Sequence, residues 1–151
     1  MKLTSIVFSA VLSTAITLTV FANDRPTKTA QNIISEFAES HVNTDVIKLS
    51  RILSEDAILK FTKGEKVITQ YHESIMFLTK QNNGTIQNCS TQIEYLAISE
   101  ALVMAKVNFI YKDFIIENFL TLELDKNQLW KITRINKFFT NAEKPISISG
   151  T

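Results

Sequence analysis

Residues 101–124, ALVMAKVNFIYKDFIIENFLTLEL, decide the fold of this chain. Every second residue from Ala101 to Tyr111 is apolar or aromatic, and a similar alternation, interrupted at Asn118, runs from Phe114 to Leu124. A period of two is typical of β-strands that cover a core with one face. The polar residues 112–113 separate the two runs as a short turn. The segment therefore predicts an antiparallel hairpin of two long strands.

The hairpin extends into a meander on both sides. Residues 85–99 precede it and include an alternating apolar stretch around Tyr95, while residues 128–139 follow it after a polar turn at 125–127. Neighbouring strands joined by such short turns usually pair antiparallel. The C-terminal half is therefore predicted to be a four-stranded antiparallel sheet.

Three helices are predicted before this meander, with a small hairpin between the second and the third. Their apolar residues recur at spacings of three and four, which places them on one face of each helix. The predicted elements are a helix over 29–41, a helix from Asn43 or Thr44 to Leu53, strands over 57–61 and 66–69, and a helix over 70–80. Segregated helices and an antiparallel sheet predict an α+β fold, with three N-terminal helices packed on a strongly curved, cone-shaped sheet that encloses a pocket.

The first 22 residues have the pattern of a secretory signal peptide. Lys2 precedes an uncharged apolar run over residues 6–21, and Val20 and Ala22 supply small residues at positions −3 and −1 of a cleavage site. The alternatives are an uncleaved membrane anchor and a core helix, although the run is shorter than the roughly 20 residues that span a bilayer. We therefore expect a periplasmic or secreted protein that meets the membrane only if this segment stays uncleaved.

The remaining boundaries follow from these elements. Residues 23–28 are predicted to be a linker and residues 29–139 a single domain. Residues 140–151 carry few large apolar groups, so they are predicted to form a loose tail.

Composition excludes several kinds of site. The 16 basic and 15 acidic side chains are balanced, whereas a nucleic-acid binder needs a basic surface. The single cysteine, Cys89, cannot form an intramolecular disulfide or a cysteine-based zinc site. The two histidines, His41 and His72, lack ligand spacing, and His41 is interpreted as a cation at a helix end. We expect no metal, no cofactor and no nucleic-acid partner.

Three stretches carry a resemblance to a known superfamily. They are residues 33–61, which end in LSEDAIL at 53–59, the adjoining pair ALVMAKV at 101–107 and NFLTL at 118–122, and LWKITRI at 129–135. Their order resembles the nuclear transport factor 2-like superfamily, especially its bacterial putative lumazine-binding or SnoaL-like group, over residues 29–139. The resemblance implies a cystatin-like roll with a pocket. It says little about function, because the superfamily contains isomerases, dehydratases and binding modules.

Asn118 is the main candidate for a ligand-facing residue, because its strand position faces inward and a buried amide needs a partner. The resemblance implies that an aspartate often occupies this place, and an amide cannot act as a general base. The other ligand-binding candidates are Tyr71, Tyr95, Tyr111 and Trp130, for which core packing is the alternative.

No catalytic residue can be assigned from the sequence. Pocket isomerases of the superfamily place a carboxylate beside a tyrosine. Here Glu94, Glu117 and Glu123 fall on strand faces that point away from the apolar side. An inward carboxylate or histidine next to a tyrosine would restore the enzyme hypothesis.

Three functions remain open. The first is a non-catalytic binding module for a small apolar or aromatic ligand, or for a heterocycle as the resemblance implies. The second is an isomerase or dehydratase. The third is a structural or interaction protein that forms a homodimer through the outer face of the sheet. That face carries a second apolar set at Leu102, Met104, Ile110, Ile115 and Phe119.

Overall fold

The computed structural model describes residues 29–142. The predicted signal peptide and linker, and residues 143–151 of the predicted tail, lie outside the described residues. The nine elements are α1 (Ala30–Val42), α2 (Val46–Ile52), β1 (Leu53–Lys63), β2 (Lys66–Tyr71), α3 (His72–Gln81), β3 (Ser90–Ile98), β4 (Leu102–Ile110), β5 (Phe114–Leu124) and β6 (Trp130–Asn141). Within residues 29–142, every helix is too short or too polar to cross a membrane.

The strands form one six-stranded sheet in the order β2-β1-β6-β5-β4-β3. This confirms the α+β class and the C-terminal meander. The prediction of a purely antiparallel sheet was wrong at one pairing, because β6 runs parallel to β1. The β1–β2 hairpin and α3 intervene before the meander begins at β3. The meander then returns to β1 with its fourth strand pointing in the same direction as β1.

Irregular pairing bends this sheet. The register of the strand pairing shifts at three places. They lie between Leu53 and Ile58 in β1, between Tyr95 and Ala97 in β3, and at Thr133 in β6, which is an extra residue in the pairing with β5. An extra residue in one strand bends that strand and increases its twist. The sheet therefore curves around the helices, as predicted, with the helices covering its inner face.

The inner face of the sheet and one stripe of α1 form the core. Val103, Ala105, Val107 and Phe109 of β4 are all 3% exposed or less, as the alternation predicts. The α1 stripe at Ile33, Ile34, Phe37 and Ala38 is also buried, and Thr29 caps this helix by accepting the Asn32 N–H at 3.3 Å. Burying one large aliphatic side chain contributes about 1.5–3 kcal/mol. These contacts fix α1 across the sheet.

Several element ends differ from the predictions. The cap of α2 is Asp45, which accepts the Lys48 N–H at 2.9 Å, and neither Asn43 nor Thr44 takes this role. β1 starts at Leu53, directly after α2, and β2 continues to Tyr71, so α3 begins later than predicted. β6 extends to Asn141, two residues beyond the predicted end of the domain.

Residues 85–89 form a loop and not the start of β3, which corrects the predicted strand over 85–99. The loop is tied to the connection between α1 and α2. The Gln87 N–H donates to Val42 O at 2.7 Å, and the Gly84 N–H donates to Thr44 O at 3.1 Å. These bonds satisfy backbone groups that a strand ladder would otherwise pair. They also bring Gln87 beside the inner face of the sheet.

Candidate functional site

A cavity of about 560 Å³ lies between the inner face of the sheet and the helices. Half of its lining residues are apolar. The polar ones include His41, Gln87, Tyr111, Asn118 and Lys137, and no aspartate or glutamate of residues 29–142 lines the cavity. Small-molecule sites in proteins have this size and this mixture of apolar walls with a few polar groups.

The mouth of the cavity is marked by lining residues that are also exposed. They are Leu78 and Asn82 at the end of α3, Phe114 at the start of β5 and Phe139 near the end of β6. Three of the four are large and apolar. A ligand entering here would therefore pass an apolar rim before it reached the polar groups.

One wall of the cavity, here called the polar wall, carries a chain of hydrogen bonds that joins Thr44, Gln87, Tyr111 and His41. The Thr44 hydroxyl donates to Thr85 O at 2.6 Å, so it can only accept from Gln87 Nε2, 3.2 Å away. This contact orients the Gln87 amide with Oε1 toward Tyr111. A carbonyl oxygen only accepts, so the Tyr111 hydroxyl donates its single proton to Gln87 Oε1 at 3.2 Å.

His41 completes the chain as a donor. Its Nε2 lies 3.0 Å from Tyr111 Oη, whose proton is already used, so Nε2 carries a hydrogen. The imidazole stacks on Phe109 with a centroid distance of 3.7 Å. Burial, assisted by the nearby charge of Lys137, lowers the pKa of His41 to about 4. The interpretation of His41 as a helix-end cation was therefore wrong, because the ring is neutral near pH 7.

Tyr111 is held as a neutral phenol. Its ring stacks on Phe114 at a centroid distance of 4.5 Å. Burial, with a smaller contribution from the Cys89 thiol, raises the pKa of Tyr111 to about 12. Tyr111 therefore offers the cavity an aromatic ring and no negative charge.

Asn118 lies in the cavity wall and is 1% exposed. Its side-chain NH₂ donates to Val107 O at 3.2 Å and to Ile116 O at 3.4 Å. Within residues 29–142, its Oδ1 accepts no hydrogen bond. The amide is thus anchored to the strands through its nitrogen, which leaves the oxygen without a partner among the described residues.

Lys137 lies opposite Asn118 on the neighbouring strand and also lines the cavity. Burial lowers the pKa of this lysine. Lys137 forms no ion pair with any residue of the described part of the chain. It is therefore a partly desolvated cation in a cavity that contains no acid.

The sequence did not predict Lys137, because β6 does not alternate evenly. Continuing the alternation of Trp130 and Ile132 would turn Lys137 outward. Thr133 is an extra residue in the pairing with β5, so the inward-facing positions of β6 shift by one residue after it. Ile132 and Ile135 are therefore both buried, and Lys137, two residues after Ile135, also faces inward. Two isoleucines three residues apart in a strand were the only signal of this bulge.

The other predicted ligand-binding residues lie elsewhere. Tyr71 is 64% exposed at the end of β2 and does not line the cavity. Tyr95 and Trp130 line a second cavity of about 210 Å³ near the start of α1. Of the five predicted residues, the structure brings Asn118 and Tyr111 together in the larger cavity. His41, Gln87 and Lys137 join them without having been proposed as ligand contacts.

The chemistry of this wall is hydrogen bonding and positive charge. Among residues 29–142, no three His, Cys, Asp or Glu side chains are grouped so that they could hold a metal ion. The His41–Tyr111 contact does place a histidine beside a tyrosine in the cavity, the arrangement that restores the enzyme hypothesis. In this structure, however, the proton of Tyr111 points to Gln87 and away from His41.

Comparison with known proteins gives one family and a set of similar folds. The family model described as "Putative lumazine-binding" matches residues 25–140. No curated protein matches the chain.

Among solved structures, an NTF-2 like protein of unknown function from Silicibacter pomeroyi is 13% identical, with a TM-score of 0.62 over 72% of this chain and 91% of that one. A cystatin-like fold protein from Burkholderia xenovorans is 11% identical, with a TM-score of 0.60 over 74% and 89%. A putative ketosteroid isomerase from Parabacteroides distasonis is 14% identical, with a TM-score of 0.56 over 77% and 89%. At these identities the likeness concerns the fold.

Proposed function

The chain belongs to the putative lumazine-binding family and shares the fold of NTF-2 like proteins, and from this premise we propose that it is a non-catalytic module that binds a small aromatic or heterocyclic ligand in the larger cavity. The observation that carries the proposal is the cavity itself, at about 560 Å³ with apolar walls and one polar wall. The fold resemblance drawn from the sequence is confirmed, and the family description favours a heterocycle.

The polar wall supports binding more than catalysis. Each member of the Thr44–Gln87–Tyr111–His41 chain already has a fixed donor or acceptor role. Such a wall needs no rearrangement when a ligand arrives, which reduces the ordering cost of binding. A base in this position would need to receive a proton, and the lowered pKa of His41 opposes that.

The test is a titration of protein purified from cells that express the full chain. We expect saturable binding of the neutral fluorescent probe N-phenyl-1-naphthylamine, and its displacement by lumazine or a flavin heterocycle. Leu78→Trp should block the rim and weaken probe binding. Phe77→Trp is the matched control, because Phe77 is exposed on the same helix and does not line the cavity. Equal binding by both variants, or no binding at all, would overturn the proposal.

The His41 Nε2–Tyr111 Oη contact of 3.0 Å supports a second candidate, a proton-transfer enzyme of the isomerase or dehydratase type. Such an enzyme would exchange protons next to a carbonyl group. The test is deuterium incorporation from D₂O into small cyclic ketones, followed by NMR, with Tyr111→Phe as the control. Exchange at the buffer rate would exclude this candidate for those substrates.

We also propose that the protein is exported and that it forms a homodimer. The apolar run in the first 22 residues supports export, and a mature N-terminus at Asn23, read by mass spectrometry of the periplasmic fraction, would test it. Leu102, Met104 and Phe138 are exposed apolar side chains on the outer face of the sheet, which supports pairing through that face.

A further inference from the structure

The charge inside the larger cavity has no counterpart among the lining residues of the described chain. Lys137 is the only lining residue that carries a full charge near neutral pH, since His41 is neutral and no acid lines the cavity. Within residues 29–142 it has no ion pair. Partial removal of a cation from water without a partner costs free energy, and groups perturbed in this way cluster at functional sites.

The surroundings of Lys137 suit an anion. Phe61 of β1 and Asn118 of β5 are its neighbours across the two adjoining strands, and His41 of α1 is near enough for Lys137 to disfavour its protonation. The hydrogen on His41 Nε2 is used by Tyr111, so the ammonium is the main unused donor at this wall. The apolar side chains across the cavity would accommodate a ring or a hydrocarbon body.

We propose that the natural ligand carries an acidic group, a carboxylate or a comparable monoanion, on an aromatic or apolar body, and that Lys137 binds this group. The inference rests on the proposed function, because it assigns the ligand class of the same cavity. It goes beyond a neutral heterocycle, which would leave the half-buried ammonium of Lys137 without a partner of opposite charge. The acidic group replaces the water that the Lys137 ammonium loses on burial.

The experiment uses two probes that share the same rings. 8-Anilinonaphthalene-1-sulfonate carries an anion, and N-phenyl-1-naphthylamine lacks it. We expect the wild-type protein to bind the sulfonate roughly tenfold more tightly than the neutral probe. Lys137→Met keeps the aliphatic stem and should abolish this preference, while Lys137→Arg should retain it.

Two controls distinguish the loss of the Lys137 charge from a folding defect and from the loss of a surface charge. Lys126→Met removes an exposed lysine in the β5–β6 turn and should leave both affinities unchanged. Circular dichroism and melting of Lys137→Met verify that it folds. A folding defect in Lys137→Met would weaken the binding of both probes, whereas loss of the charge should weaken only that of the sulfonate.

The pH dependence gives an independent readout. The sulfonate stays ionised, so its affinity should fall as pH rises through the lowered pKa of Lys137, below the pH at which a free lysine loses its proton. Tyr111 ionises later, because its pKa is raised to about 12. The neutral probe should show no such loss.

The failures of the two proposals are distinguishable. If both probes bind with equal affinity and Lys137→Met changes neither, the acidic-ligand inference is overturned and the binding module stands. If neither probe binds in a way that Leu78→Trp weakens, the binding module itself is wrong and the inference falls with it.

Discussion

At the residue scale, the site depends on which atom of each side chain is already engaged. Asn118 uses its nitrogen for the strands and leaves its oxygen without a partner in residues 29–142, whereas Tyr111 uses its proton for Gln87. The sequence made both residues candidates for ligand contact, with a structural role as the alternative for each. It did not indicate the direction of their hydrogen bonds, because that direction depends on Thr44 and Thr85, which are distant from Tyr111 in the chain.

Asn118→Asp should weaken anion binding selectively. Asn118 and Lys137 are opposite residues on the inner face of adjacent strands, where side chains are about 5 Å apart at Cβ. A carboxylate at this place would supply the ion pair that Lys137 lacks and compete with an acidic ligand. We expect the affinity for anilinonaphthalene sulfonate to fall roughly tenfold and that for the neutral probe to change little. Equal losses for both probes would show that the substitution damages the cavity instead.

His41 should make the protein less stable in mild acid. Its folded pKa of about 4 is below its ordinary value of 6.5, so the unfolded chain binds the extra proton first. The contribution of neutral His41 to the free energy of unfolding is therefore fully present above about pH 6.5 and is lost as the pH falls toward 4. Between pH 7 and pH 5 the loss should be about 2 kcal/mol. Urea unfolding at both pH values measures it, and His41→Gln should lack most of this difference.

At the element scale, alternation predicted the strands whose pairing is regular. The inward residues of β4 and β5 are those expected from the sequence, since these strands pair without interruption over most of their length. Prediction failed where a bulge shifts the facing of residues, as at Thr133 before Lys137. It also failed in residues 85–89, where hydrogen bonds to a distant helix connection replace a strand ladder. Neither effect is encoded in local periodicity.

We expect the connection between α1 and α2 to determine the directions of the hydrogen bonds in the polar wall. Thr44 has a φ of 46°, which is unusual for a β-branched residue, and its hydroxyl joins Thr85 to Gln87. Thr44→Val keeps the shape and removes these hydrogen bonds, so we expect a loss of about 1–3 kcal/mol in the free energy of unfolding. The Gln87 amide would then be free to turn over. Nitrogen NMR shifts of His41 should report a single tautomer in the wild type and a mixture in Thr44→Val, and an unchanged single tautomer would contradict the directed chain.

At the scale of the whole molecule, the inner and outer faces of the sheet have different structural roles. The inner face encloses the cavity. The outer face has exposed apolar side chains around a salt bridge of 2.5 Å between Lys106 and Glu117, with the Lys106 ammonium 5.5 Å from the Phe119 ring. The predicted outer apolar set is therefore interrupted by charge, which keeps this face compatible with water as well as with a partner.

The homodimer prediction belongs to this outer face. Light scattering at micromolar concentration should give twice the mass of one chain. Phe138→Glu should shift the protein to monomers, because Phe138 is exposed and packs edge-on against Phe119. Phe77→Glu places the same charge on an exposed position of α3 and should leave the mass unchanged. A wild-type monomer would exclude the dimer at that concentration.

The bulge at Thr133 has a consequence for how related sequences are compared. A relative whose last strand pairs regularly with its neighbour would lack one residue here while keeping the same inward side chains. An ungapped alignment would then match Lys137 to an outward position and hide any shared cation. Alignments of this strand therefore need a one-residue gap at position 133. Mutant libraries that vary the cavity should assign inward and outward positions separately before and after this residue.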